Sequence, residues 1–229
     1  MTMLFLFLGT MAISLLASWK VRSAYNRYSK VPASSGYTGA EVAQRILDLN
    51  NIRDVTIHAT QGHLTDHYDP SNRRLVLSEE NYHGTSVAAL GIAAHECGHA
   101  IQHQQLYAPL QWRMAAVGIT GIASQIVMWV PLLGLFGGFF PYPLVITIMA
   151  IGFGILMLFQ LVTLPVEFDA TARAKKVLAG TGAVAMGNEF KAMSKVLDAA
   201  ALTYVAAFVS TLAYLMYYVL QMVGLNRDE

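Results

Sequence analysis

"MAAVGITGIASQIVMWVPLLGLFGGFFPYPLVITIMAIGFGILMLFQLVTLPV", residues 114–166, contains no charged side chain. One bilayer crossing takes roughly 20 apolar residues, so this run is too long for one helix and right for two. "GGFFPYP" at 137–143 supplies the glycines and prolines of a turn between them. The run therefore reads as a hairpin of spans at 114–136 and 143–165. Charge-free runs at 1–19 and 199–225 give two more, at 3–19 and 202–224. The first run could be a cleaved signal peptide, but no basic residue precedes it and Lys20, Arg22, Arg27 and Lys30 follow it. That is the reverse of a signal peptide, so a retained anchor is expected.

Composition agrees. Of 229 residues 55% are apolar and 13% charged, where a soluble domain carries about a quarter. A net charge of +1 offers no basic face to a nucleic acid. Cys97 is the one cysteine, which excludes an internal disulfide and a cysteine metal cluster.

Segment 20–113 holds nine Lys/Arg and segment 166–201 five, while the hairpin has none and the tail only Arg227. Four spans put the two basic segments on one side, and the positive-inside rule makes that side cytoplasmic. Both termini are expected outside, in a protein integral to the plasma membrane. Together the two segments, roughly 130 residues, suffice for one small α+β domain. In it "TGAEVAQRILDL" (38–49) reads as a helix, with Thr38 and Glu41 as a capping box and Val42, Ile46 and Leu49 as the buried stripe. "DVTIHA" (54–59) and "RRLVLS" (73–78) alternate like strands around a turn-rich "DHYDPSN".

Just upstream of the hairpin lies "GIAAHECGHAIQH" (91–103), with His95-Glu96-Cys97-Gly98-His99 in the H-E-x-x-H pattern. On a helix, residues four apart share a face, so two imidazoles can grip one ion while Glu96 reaches a water on it. Bound zinc lowers that water's pKa to about 7. The stretch is alanine-rich and proline-free, and Thr85 or Ser86 can cap its start. His103 lies on nearly the same face, but eight residues rise about 12 Å from His95, too far to share the ion. It is read as a cleft or substrate-contacting residue, or as a solvated helix-end histidine.

A third ligand must come from elsewhere. "LPVEFDATARA" (164–174) returns from the third span carrying Glu167 and Asp169, with Pro165 marking where the span could kink or end. Glu167 as ligand, with Asp169 as partner to an imidazole, is one assignment; a helix start favouring acids through its dipole is the other. "GHLTDHYDP" (62–70) offers His63, His67, Asp66 and Asp69, though its proline and polar run point to a turn with a structural or substrate-cleft role.

With "TGAEVAQRIL", "LTDHYDP", "LVLS", "SVAALGIAAHECGHAIQH", "VEFDATARA" and "VLDAAALTYVAA" in this order, the chain resembles, nearly end to end, the YugP-type family of neutral zinc metallopeptidases, bacterial membrane proteins. The resemblance implies a zincin-like catalytic domain with a gluzincin-like site: His95, His99 and Glu167 as ligands and Glu96 as general base. The layout is also similar to HtpX-type membrane proteases, which place a membrane hairpin between H-E-x-x-H and the glutamate. Their glutamate-x-x-x-aspartate motif is not met, since position 171 is Thr and the nearest acid is Asp169.

The combined expectation is a mainly α membrane protein with four transmembrane helices and a small cytoplasmic catalytic domain. It would act as an endopeptidase with one zinc per chain, on a peptide or membrane-protein substrate at the cytoplasmic bilayer face. Arg173, His103 or Tyr204 would stabilise the oxyanion. "RRLVLS", with Leu75 and Leu77, would be the edge strand to which an extended peptide adds. The alternatives are an intramembrane protease and a non-enzymatic scaffold or chaperone with a structural zinc. Cys97, on the opposite side of its helix from His95, should pack. Asp198 should orient a site residue or serve as a cap or interfacial acid. Trp129 suits an aromatic belt, and Gly118 and Gly121 should ease helix packing. The oligomeric state is not legible.

Overall fold

The computed structural model describes residues 1–137 and 140–225. Gly138 and Phe139 of the expected hairpin turn, and Arg227 of the tail, lie outside the described residues. The elements are α1 (Thr2–Tyr28), α2 (Gly39–Leu49), β1 (Thr56–Thr60), β2 (His67–Asp69), β3 (Arg74–Ser78), α3 (Glu79–Tyr82), α4 (Val87–Gln104), α5 (Ala108–Gly137), α6 (Tyr142–Thr181) and α7 (Asn188–Leu225). Four of these helices, α1, α5, α6 and α7, are long and apolar enough to cross a membrane. The protein is thus a mostly helical membrane protein with a small sheet. It divides into two compact units, described in turn.

The membrane unit comprises 1–15, 111–164 and 204–229. Its buried residues are few: Ile146, Met149, Ala150, Phe153 and Tyr218 form the centre. Phe153 stacks on Tyr214 at 4.8 Å and on Tyr218 at 5.6 Å between ring centroids. Hydroxyls on these helices bond back to their own carbonyls, Thr120 to Ala116, Ser124 to Thr120 and Thr147 to Pro143. Polar groups in hydrocarbon need such internal partners. A Cβ on Gly118 or Gly121 would meet nothing within 4 Å, so neither glycine eases a helix contact within this unit. That role falls to Gly152, whose Cβ would lie 2.7 Å from Val127.

The second unit comprises 16–110 and 165–203. Its core joins Leu75, Leu77, Leu90, Ala93, Cys97, Leu178 and Met193. The α2 capping box forms as its sequence implies: the Glu41 amide donates to Thr38 Oγ1 and the Thr38 amide to Glu41 Oε2. The buried face of α2 runs through Val42, Ala43, Ile46 and Leu47. Leu49 falls off the edge of that arc in the last turn and is exposed, so Leu47 replaces it in the stripe.

The sheet has strand order β1-β3-β2, with β1 parallel and β2 antiparallel to β3. "RRLVLS" is therefore the central strand, paired on both sides, and cannot receive a peptide as an edge. Leu75 and Leu77 are fully buried in the core. The edges are β1 on one side and β2 on the other, and β2 lies inside the segment expected to be a turn. Asp69 shortens that turn by accepting bonds from the Ser71 and Asn72 amides, which leaves His67–Asp69 free to extend. Pro165 likewise does not end α6, which continues to Thr181. A proline inside a helix removes one backbone donor, and this helix absorbs the loss.

Candidate metal centre

Helix α4 starts where Ser86 Oγ accepts from the Ala89 amide, satisfying one of the free N–H groups of the first turn. Fourteen of its 18 residues are buried, so it runs through the core and holds its side chains fixed. Gly98 is decisive. A Cβ there would lie 2.7 Å from the Ala170 carbonyl oxygen and 3.1 Å from Ala170 Cα, so only glycine lets the α6 backbone lie against α4. Glu167, one turn before Ala170, then faces His95 and His99.

Glu167 Oε2 lies 3.3 Å from His95 Nε2 and 3.6 Å from His99 Nε2. The three ligand atoms all fall within 4.8 Å of one another. Charge-assisted hydrogen bonds between such groups are about 2.7–2.9 Å. Two atoms bonded tetrahedrally to one zinc at 2.0–2.1 Å stand about 3.3–3.4 Å apart. The spacing thus fits a shared ion better than a direct bond. The donor set fits too: two imidazoles and a carboxylate suit zinc, and a carboxylate only 2% exposed is costly unless it is paired or binds a metal. His95, His99 and Glu167 could hold one metal ion.

Glu96 is buried beside them. Burial pushes its carboxyl above the usual carboxylate range, and the neighbouring His95 and His99 pull against that shift. The imidazoles differ on their far sides. His95 Nδ1 is 3.3 Å from Thr171 Oγ1, so Thr171 stands where the glutamate-x-x-x-aspartate pattern has its acid. His99 Nδ1 is 3.0 Å from Gln102 Oε1. Asp169, expected to contact an imidazole itself, does so only through Gln102, whose Nε2 donates to Asp169 Oδ2 at 2.8 Å.

The other candidates scatter. Arg173 donates to Asp169 and Gln105. His103 Nδ1 pairs with the Tyr68 hydroxyl at 2.9 Å and lines a cavity of about 200 Å³ with Arg73 and Leu106. Burial, then the Arg73 charge, holds its pKa below the usual histidine value. Tyr204 belongs to the membrane unit. His63 pairs with Glu80, and Asp66 accepts from Ser78 and Asn81, so both brace the loop before β2. His67 bonds to the Thr65 carbonyl. Cys97 packs as expected, fully buried, its thiol 3.6 Å from the Ala43 carbonyl. Asp198 accepts from Lys175. Sequence reading missed Gly98 and Gln102, and saw Thr171 only as a departure from a motif. Gln102 left a signal, sitting three residues after a ligand on the same helix, and Thr171 left one in its place four residues after Glu167.

A family model described as "Putative neutral zinc metallopeptidase" matches residues 3–223. A protein of Bacillus subtilis (strain 168) named "Putative membrane protease YugP" is 45% identical over 235 residues, covering 100% of both chains. No solved structure matches.

Proposed function

The chain belongs to the neutral zinc metallopeptidase family, and from that premise we propose that it is a membrane endopeptidase whose single zinc is held by His95, His99 and Glu167. Three protein ligands leave the fourth position for water or substrate, the mark of a catalytic rather than a closed structural site. When bound, zinc supplies a Lewis acid that acidifies water and polarises a carbonyl. Glu96 takes the proton from the attacking water and delivers it to the leaving nitrogen. The C–N bond breaks, water's oxygen and its second proton stay with the new carboxyl group, and the nitrogen leaves as an amine carrying the proton that Glu96 delivered. A carboxyl whose proton affinity is raised by burial suits that shuttle.

The substrate strand is reassigned from β3 to β2, the sheet edge that packs against α4. An extended peptide from a soluble or membrane protein would add along it. His103 and Tyr68, bonded to each other, sit at its junction with α4. The positive-inside pattern supports a zincin-like unit on the cytoplasmic face with both termini outside.

The observation that carries the reading is the convergence of the three ligand atoms within 4.8 Å. The test is zinc per chain and cleavage of a mixed peptide library by detergent-purified parent, Glu96→Gln and Glu167→Ala. About one zinc is expected in the parent and in Glu96→Gln, much less in Glu167→Ala, and cleavage by the parent alone. A folded Glu167→Ala with full zinc would move the third ligand elsewhere. Parent-like cleavage by Glu96→Gln would remove Glu96 from the reaction.

A further inference from the structure

We infer that Gln102 is a positioning residue that holds His99 with its proton on Nδ1 and its Nε2 lone pair aimed at the metal, and that Asp169 and Arg173 lock Gln102 in the amide orientation that does so. This rests on the ligand set proposed above.

The orientation follows from the neighbours. Gln102 is fully buried. Its Nε2 lies 2.8 Å from the Val166 carbonyl oxygen and 2.8 Å from Asp169 Oδ2. Both are acceptors, so both amide protons are used there. Flipping the amide would press Oε1 against two oxygens at those distances and leave two donors stranded. Oε1 is therefore the atom that faces His99 Nδ1 at 3.0 Å. An amide oxygen can only accept, so Nδ1 must carry a proton, and a neutral imidazole then presents Nε2 as its lone pair.

Asp169 is held in turn. Arg173 Nε donates to the same Asp169 Oδ2, Arg173 Nη1 donates to Gln105 Oε1, and the guanidinium lies over the Tyr107 ring, 5.8 Å from its centroid. The series from Arg173 through Asp169 and Gln102 to His99 has no member that can reverse without breaking a bond.

His95 supplies the contrast. Its neighbour, the Thr171 hydroxyl at 3.3 Å, can donate or accept, so it dictates no tautomer. His99 is the fixed ligand of the pair and His95 the adaptable one.

The test uses full-length protein in detergent. Zinc affinity is read by chelator competition and the ligand field by the visible spectrum of the cobalt(II) form. Apo-protein thermal unfolding serves as the folding control. Gln102→Leu, which keeps bulk and removes the acceptor, is expected to weaken zinc about 10–100-fold and change the cobalt spectrum, with apo unfolding near that of the parent. Thr171→Val should cost less. Gln102→Glu alone places a carboxylate against Asp169 and should also weaken zinc. Adding Asp169→Asn gives that carboxylate an amide donor in place of one of the two oxygens it faces, keeps an acceptor toward Nδ1, and should restore part of the affinity although the Val166 carbonyl stays opposite it.

Parent affinity and spectrum in Gln102→Leu would overturn the inference, as would losses that merely track apo stability or a double variant no better than Gln102→Glu. If Gln102→Leu does not fold, the Gln102→Glu and double-variant pair decides the question. Failure of the underlying ligand set shows separately, as undiminished zinc in Glu167→Ala.

Discussion

A Cβ added at Gly98 or Gly91 of the metal-bearing unit would come within 2.7 Å of Ala170 or 2.9 Å of Met193, whereas at Gly118, Gly121 or Gly224 of the membrane unit it would meet nothing within 4 Å. The two units hold helices by different means. The metal-bearing unit closes backbone on backbone and threads a polar network through its core. The membrane unit leaves broad apolar surface, with 6% of the α1 and α5 span windows buried, and concentrates its contacts in a few aromatic stacks. Tolerance of substitution should divide along the same line, with Gly152, whose Cβ would lie 2.7 Å from Val127, the exception in the membrane unit.

The largest separation should come from the metal. A ligand that binds only the folded form adds about 4 kcal/mol at a free concentration 1,000 times its Kd. Stripping zinc with a chelator should therefore lower protection against amide hydrogen exchange in α4 and at 165–181, while protection at 143–164 stays as it was. Equal loss in both stretches would break the comparison.

Gly98→Ala comes next. Overpacking costs about 1–3 kcal/mol, and here the displaced backbone carries Glu167, so reduced zinc content should accompany the lower unfolding temperature. Gly118→Ala and Gly121→Ala should match the parent in both measurements. A zinc-replete, parent-stable Gly98→Ala would show that α6 can retreat without cost.

Phe153→Leu sharpens the other side. It keeps most of the apolar volume but removes stacking on Tyr214 and Tyr218, for about 0.5–1.5 kcal/mol. Lower unfolding temperature with unchanged zinc affinity is expected, and a matching fall in zinc affinity would contradict it.

The smallest effect is pH-dependent. Burial and Arg73 hold the His103 pKa below its ordinary value, so the native state takes up this proton less readily than the unfolded chain. The resulting stability is present above about pH 6.5 and is lost as pH falls through the lowered value. Unfolding scans of Gln-substituted and parent protein should converge on acidification, with the parent losing more between about pH 7.5 and 5. Parallel curves would assign His103 a proton affinity equal in both states.

Much of this was legible because the signals are coarse. Spans need length and the absence of charge, so uncharged runs revealed four apolar helices. The capping box needs two residues three apart, and Thr38 and Glu41 made it. H-E-x-x-H needs one helical turn. What escaped depends on partners far along the chain. Alternation in "RRLVLS" tells which face is buried but not which strands lie alongside, so a central strand read as an edge. Pro165 signals a lost hydrogen bond but not whether the neighbouring helix makes up for it. Asp169 was legible as a partner for an imidazole, but the amide between them was not, because Gln102 and Asp169 are 67 residues apart.

That interval has a consequence for synthesis. Helix α5 and the apolar part of α6 lie within it, so a growing chain displays both histidines before the codon for Glu167 has been read. A nascent or stalled chain carries two of the three ligands. Completion waits until α5 and the apolar part of α6 have been made, so the metal site cannot close before most of the chain exists.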